Sequence, residues 1–276
     1  MQHTQLVIFL SPHFDDIALS CGGMAARLSR SGARCLGLTV FAAPPPSSEP
    51  LSEYARFQHA RWESASGAGQ QAVHEVRREE ERQAARILGV EPVMIDLPDA
   101  PYRRGPTGAA FYNSDDDLFG RVAPEERRTL PPRIAAELAR IAKEAGTQGR
   151  IRVFAPLGAG HHVDHQLAFW AARRLGPRCG VLFYEDYPYA ATPGALQARI
   201  EELGLPMQPR LAPIGDLIGV KIAAIARYKT QLEVLFGGSE AMPAAVRAYA
   251  QSVAGTSGAA RYAERYWYIP PMYTLA

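Results

Sequence analysis

Two short runs hold most of the side chains that could grip a metal ion or move a proton. The first is Ser11-Pro12-His13-Phe14-Asp15-Asp16. The second is Gly160-His161-His162-Val163-Asp164-His165. Four of the seven histidines lie in these runs. Imidazole and carboxylate are good ligands for a borderline divalent cation, and a catalytic zinc site takes three protein ligands and leaves one position for water. His13, Asp16 and His165 can supply the three. Water on such an ion has its pKa brought down toward ~7, so hydroxide is available near neutrality. Asp15 can then take the water's proton. Adjacent loop residues cannot both point alike, which gives Asp15 and Asp16 different roles. His162 stands three residues before His165, and positions i and i+3 of a helix share a face. It can therefore face the reacting group without binding the ion; His161, four residues before His165, fits the same place by spacing alone. Asp164 can hold the other nitrogen of His162 or cap the helix that follows. His3, His59 and His74 read as surface or structural, and Asp115-Asp116-Asp117 as a solvated loop run.

Groups so far apart in the chain meet only if the fold brings two loops to one end of a sheet. Leu6 to Leu10 is a continuous apolar run stopped by Ser11-Pro12, as expected of a strand buried on both faces. Further strands are expected at Cys35–Phe41, Pro92–Leu97, Arg152–Ala155 and Val181–Tyr184. Helices are expected at Ile17–Ser31, Ala72–Leu88, Pro131–Ala145 (with proline at its start) and His165–Leu175. Repeated βα units imply an α/β fold, a mostly parallel sheet with helices on both faces. Both chemical runs then sit at carboxyl ends of parallel strands, where open α/β sheets place their sites. Pro44–Gly69 and Pro98–Leu130 read as long loops. Extra C-terminal helices are expected at Lys221–Phe236 and Pro243–Ala254. One domain spanning 1–276 is expected, with a catalytic core over about 1–190 and a mainly helical elaboration over about 191–276.

The chain has 276 residues, is 47% hydrophobic and 21% charged, and carries a formal charge of +2. That balance argues against nucleic acid or an anionic membrane as a partner. No apolar run approaches the ~18 residues of a membrane span, and the N-terminal residues lack the pattern of a signal peptide. Three cysteines without CxxC spacing suit a reducing cytoplasm. No GxSxG elbow, P-loop or GxGxxG occurs, which leaves serine hydrolases, NTPases and dinucleotide oxidoreductases without support. Two rivals to metal-assisted amide hydrolysis remain at this level. One is a facial-triad Fe(II) oxygenase, which would need a β-rich barrel. The other is a non-catalytic carbohydrate-binding protein with a structural metal, which would need no base at Asp15.

The two runs also resemble a known family. Pro12-His13-Phe14-Asp15-Asp16 resembles the PHxDD signature of the LmbE-like, or PIG-L, zinc-dependent de-N-acetylases, and His162-Val163-Asp164-His165 is similar to their HxDH motif. The resemblance implies a Rossmann-like core and hydrolysis of the N-acetyl group of a sugar or glycoconjugate. It implies His13, Asp16 and His165 as ligands of Zn2+, although the ligand set also accepts Fe2+ or another divalent cation. It implies Asp15 as general base. His162 becomes the protonated histidine that holds the oxyanion, with Asp164 as its orienting partner. Arg77-Arg78-Glu79-Glu80 is similar to the family's RxxE helix, which puts Arg77 near substrate hydroxyls with Arg78 as its competitor. Leu97-Pro98-Asp99 is similar to an acidic turn that binds sugar hydroxyls, giving Asp99 that role. The aromatic and charged runs Tyr102-Arg103-Arg104 and Tyr184-Glu185-Asp186-Tyr187-Pro188-Tyr189 can stack on a sugar or pack on the core. A homo-oligomer is compatible with this reading.

Overall fold

Strand β1 (Leu6–Ser11) is buried at every residue and leads into helix α1 (Asp16–Arg30) and strand β2 (Arg34–Thr39). Two helices follow, α2 (Glu53–Ser66) and α3 (Gln70–Leu88), and then β3 (Glu91–Met94). A one-turn helix α4 (Asp115–Leu118) and the long α5 (Pro124–Glu144) precede β4 (Ile151–Pro156). Next come α6 (Val163–Ala172), β5 (Cys179–Tyr184), α7 (Ala195–Leu203) and β6 (Gln208–Pro213). Helices α8 (Ile218–Ile225), α9 (Lys229–Phe236) and α10 (Met242–Ala254) lead to β7 (Ala263–Tyr268). The computed structural model describes residues 5–47, 50–66, 70–146, 150–176, 179–255 and 260–270. Among them, no helix is long and apolar enough to cross a membrane.

The strands form one sheet in the order β3-β2-β1-β4-β5-β7-β6. The first five run parallel, and β7 runs against both of its neighbours. This α/β sheet is not the β-rich barrel that a facial-triad oxygenase would need. The chain builds outward from β1 to β3, then returns to place β4 on the other side of β1. The loops after β1 and β4 therefore part over a crevice at the carboxyl ends of the strands. Alternation along β1 divides the core. Val7 and Phe9 pack with α1, α3, α8 and α10, while Leu6, Ile8 and Leu10 pack with α5 and α6 on the other face. Phe9 and Phe154 stack at 4.9 Å between centroids, tying β1 to β4 beneath the crevice.

Several expected boundaries move. Helix α5 begins at Pro124, not Pro131, and carries Pro131 and Pro132 inside it. Those prolines give up two backbone donors, but burial of Ile134, Leu138 and Ile141 holds the helix on the sheet. The expected helix over Lys221–Phe236 is two, α8 and α9, parted at Ala226–Tyr228. Tyr228 turns its hydroxyl onto buried Glu81 there, at 2.5 Å. The stretch Pro44–Gly69 contains α2, which buries Tyr54, Ala55, Gln58 and His59 on one face. The C-terminal part also supplies two strands. β6 tolerates Pro209 and Pro213 because it lies at the sheet edge.

Candidate metal centre

The turn after β1 is braced from within. Ser11 Oγ donates to the carbonyl of His13 at 2.6 Å, and the backbone N–H of His13 donates to Asp16 Oδ2 at 2.7 Å. Asp15 occupies the N-cap position of α1 and Asp16 its first turn, where the helix dipole favours negative charge. The turn after β4 is shaped by left-handed backbone at Gly158, Gly160 and His161. A Cβ on Gly160 would stand 2.4 Å from Tyr189 Cβ, so only glycine fits. His161 has φ 63° and lies 3.7 Å from Glu202, away from the crevice. His162 caps α6, its Nδ1 accepting from the Asp164 N–H at 3.2 Å. Of the two adjacent histidines, it is His162 whose ring lies with those of His13 and His165.

His13, His162 and His165 bring ligand atoms within 4.8 Å of one another. Asp16 lies between two of them, with Oδ1 3.4 Å from His165 Nε2 and Oδ2 3.6 Å from His13 Nδ1. His13 Nε2 stands 3.1 Å from Asp164 Oδ2 and 3.6 Å from Asp99 Oδ1. The Asp164 carboxylate therefore rests on His13, and on Arg103 Nη1 at 2.5 Å, rather than on His162. Despite its burial, Arg103 and His13 hold the pKa of Asp164 down to about 2. Asp15 is almost fully buried, yet its carboxylate takes no hydrogen bond from a described residue.

The donor set fits a cation. His165 Nδ1 is held by Asp186 Oδ1 at 2.7 Å, and its buried Nε2 has no hydrogen-bond partner among the described residues. A buried nitrogen aimed by a carboxylate and left open is how a metal-binding imidazole is held. Burial disfavours charge on His13, but Asp99, Asp164 and Asp16 outweigh it and push its pKa well above the ordinary value. The site thus carries negative charge that asks for a positive partner. Burial, with His13 and His165 adding to it, pushes the pKa of His162 well below the ordinary value. Since Nδ1 accepts a backbone N–H, the ring proton sits on Nε2.

A narrow cleft opens beside this cluster. Its walls include Phe14, Phe41, His59, Trp62, Arg77 and Asp99. The Arg77 guanidinium lies 4.6 Å from the Trp62 ring centre and 5.6 Å from that of Phe14. Arg78 turns the other way, to Met94 Sδ at 3.1 Å and Asp96 at 3.4 Å. Asp99 faces His13 and also accepts from the Ala100 N–H at 2.7 Å. Arg103 is buried, with Glu126 at 2.6 Å and Asp164 at 2.5 Å, and belongs to the framework rather than to the cleft. Glu185 is likewise engaged, by Trp267 Nε1 at 2.8 Å and the Tyr249 hydroxyl at 2.8 Å. Asp115 accepts from Tyr54 at 2.6 Å and so anchors α2, while Asp116 and Asp117 are exposed.

Sequence reasoning passed over three of these residues. Asp186 was one charge in a mixed run; its place directly after β5 was the only signal. Arg103 was likewise one charge in the run Tyr102-Arg103-Arg104, with nothing to set it apart from Arg104. His59 reads as structural, yet the structure puts it in the wall of the cleft.

Comparison with known proteins bears on what this geometry does. The family model PIG-L, described as GlcNAc-PI de-N-acetylase, matches residues 8–175. A 2'-N-acetylparomamine deacetylase of Niallia circulans is 32% identical over 244 residues, covering 86% of this chain and 84% of that protein. One of the same description from Streptomyces fradiae is 34% identical over 185 residues, covering 66% of this chain and 57% of that protein. Among solved structures, the zinc inhibited form of teicoplanin deacetylase Orf2 superposes with a TM-score of 0.77 at 25% identity. It covers 95% of this chain and 97% of its own.

Proposed function

The chain belongs to the PIG-L family and is a metal-dependent de-N-acetylase, and from that premise we propose that it frees the amine of an N-acetylated hexosamine within an aminoglycoside-like glycoside. The curated relatives, both acting on 2'-N-acetylparomamine, support that substrate class. The observation that carries the catalytic reading is the pairing of three converging imidazoles with a buried carboxylate, Asp15, that takes no hydrogen bond from a described residue. A metal-containing protein that only bound sugar would need no such base.

We assign the ion to His13 Nδ1, the Asp16 carboxylate and His165 Nε2. The 3.4 and 3.6 Å approaches of Asp16 to the two imidazoles support this set, and His162 has its Nδ1 already engaged by backbone. Zinc, the metal proposed, supplies a Lewis acid and a bound water of lowered pKa. Asp15 takes the proton of the attacking water at its carboxylate and passes it to the departing nitrogen. His162 donates from Nε2–H to the oxyanion of the tetrahedral adduct, and a neutral donor in a dry site suffices for this. Asp164 positions His13 through Nε2. Arg77 and Asp99 take hydroxyls of the sugar. The cleft walls, rich in aromatic faces, exclude water as the substrate seats.

A single domain is supported by the sheet, whose outer strands β6 and β7 come from the C-terminal part. The free Cys21, Cys35 and Cys179 support a reducing cytoplasm. The test is elemental analysis of the purified protein together with acetate release from a panel of N-acetylglucosamine conjugates and 2'-N-acetylparomamine. About one divalent ion per chain and acetate from at least one glycoside are expected. Metal-loaded protein that releases acetate from none would overturn the reading.

A further inference from the structure

The wall of the cleft formed by α2 and α3 concentrates buried polar atoms that lack a partner. His59 Nδ1, His74 Nδ1 and Arg77 Nε are each buried without a hydrogen bond to a described residue. All three residues line the cleft beside the metal centre. A polar atom buried and left unpaired costs about as much as a hydrogen bond is worth, or more, so it normally has a partner. Three around one opening point to a ligand that answers them.

His59 is the most firmly held. It is 2% exposed, its Nε2 lies 2.5 Å from the Tyr102 hydroxyl, and its ring packs on Trp62 and Tyr102 at 5.5 and 5.6 Å. Its free nitrogen thus has one fixed direction. His74 donates from Nε2 to the Ala42 carbonyl at 3.0 Å, which leaves Nδ1 as an acceptor. The Glu75 carboxylate is 3.7 Å from that nitrogen. Arg77 Nε is a donor, fixed between two aromatic rings. A wall that offers both donor and acceptor atoms in an aromatic frame matches a polyol. Hydroxyls both give and accept hydrogen bonds, and the C–H faces of a sugar pack on rings.

We propose that His59 recognises a hydroxyl of the sugar whose acetamide lies at the metal centre, with His74 and Arg77 completing a polyol-binding wall. Helix α2 carries none of the motif residues, so a role for His59 in choosing the sugar lies outside the shared chemistry. The proposal rests on the deacetylase reading and extends it from chemistry to selectivity.

The experiment compares wild type, His59→Leu and His59→Asn on a cleaved N-acetylglucosamine glycoside and its 3-, 4- and 6-deoxy analogues. Metal content and melting temperature are checked for each variant. His59→Leu should raise KM about 10- to 100-fold with kcat held within about threefold. At one hydroxyl position the penalty that wild type shows for the deoxy analogue should vanish in His59→Leu. His59→Asn, whose amide lies near the position of Nδ1, should recover part of the affinity. Calorimetric binding of the same sugars to Asp15→Asn, with and without His59→Leu, should give the same ratio without turnover. Unchanged KM and unchanged deoxy penalties in a folded, metal-loaded His59→Leu would overturn the proposal, as would loss confined to kcat. Should wild type release no acetate at all, the deacetylase reading fails, and the calorimetric comparison still decides His59.

Discussion

His165 Nδ1 stands 2.7 Å from Asp186 Oδ1, and Asp186 Oδ2 takes the backbone N–H groups of Gly158 and Ala159 at 2.8 and 2.9 Å. One carboxylate thus fixes both the ring and the loop that delivers it. Asp186 follows β5, and β5 lies beside β4, whose following loop leads into the helix α6 that carries His165, so the contact spans the crevice floor. Carboxylates behind metal-binding imidazoles set the tautomer and raise ligand basicity, and their loss typically costs 10- to 100-fold in metal affinity. Asp186→Asn keeps the shape and an acceptor oxygen while removing the charge. It should weaken metal binding by about 10-fold or more, read by competition with a chromophoric chelator. Unchanged affinity would mean that Asp186 serves the loop alone.

Asp15 and His13 should separate cleanly by mutation. Asp15→Asn should retain the ion and lose turnover by ~10² to 10⁴, the usual worth of a general base. His13→Ala should lose the ion itself, because it removes one of the three proposed ligands and the partner of Asp164. Metal analysis and acetate release on the same preparations check both. Near-normal turnover in metal-loaded Asp15→Asn would reject Asp15 as the base.

Both variants concern residues that were legible from sequence, and the reason is topological. Parallel strands buried on both faces read as continuous apolar runs, so Leu6–Leu10 and Arg152–Ala155 announce themselves and place the following motifs at strand ends. The parts that did not read follow other rules. Helix α2 buries Gln58 and His59 beside Tyr54 and Ala55, so its inward face is half polar and gives no apolar period. Strand β6 is an edge strand bounded by proline, which sequence rules score against a strand. The role of Asp164 was misread because a carboxylate two residues from His162 looks like its natural partner. Its partner is in fact His13, 151 positions away, with Arg103 on its other oxygen. Such pairings exist only in three dimensions.

Arg103 carries that second contact, and the charge it balances is large. It is buried between Glu126, at 2.6 and 3.2 Å, and Asp164, at 2.5 Å, with the rings of Phe41 and Tyr112 at 4.9 and 5.5 Å. Arg103→Met would leave two buried carboxylates without their cation. Breaking a buried pair from one side typically costs about 3–5 kcal/mol. The variant should melt well below wild type and bind metal less tightly, since Asp164 loses its anchor while still holding His13. Arg103→Met combined with Glu126→Gln should recover part of the loss of stability. Calorimetric melting of the single and double variants checks this, and a single variant as stable as wild type would deny Arg103 its framework role.

Glu81 makes stability depend on pH in an unusual direction. Burial lifts its pKa to about 8, against 4.5 for the free side chain, while the Tyr228 hydroxyl pulls the other way by donating to it. The folded chain therefore binds this proton more tightly than the unfolded chain does. Its contribution to stability is complete below pH 4.5 and is lost progressively as pH rises toward 8, at up to about 1.4 kcal/mol per pH unit for a single group. Glu81→Gln keeps an acceptor for Tyr228 and has no proton to lose. The variant should match wild type near pH 5 and exceed it near pH 8, with the gap opening between those values. Denaturant unfolding at half-unit steps of pH measures this directly. Parallel pH profiles for the two proteins would show that the group stays hydrated or ionises freely inside the fold, and the seat of Tyr228 on α3 would then not depend on a neutral Glu81.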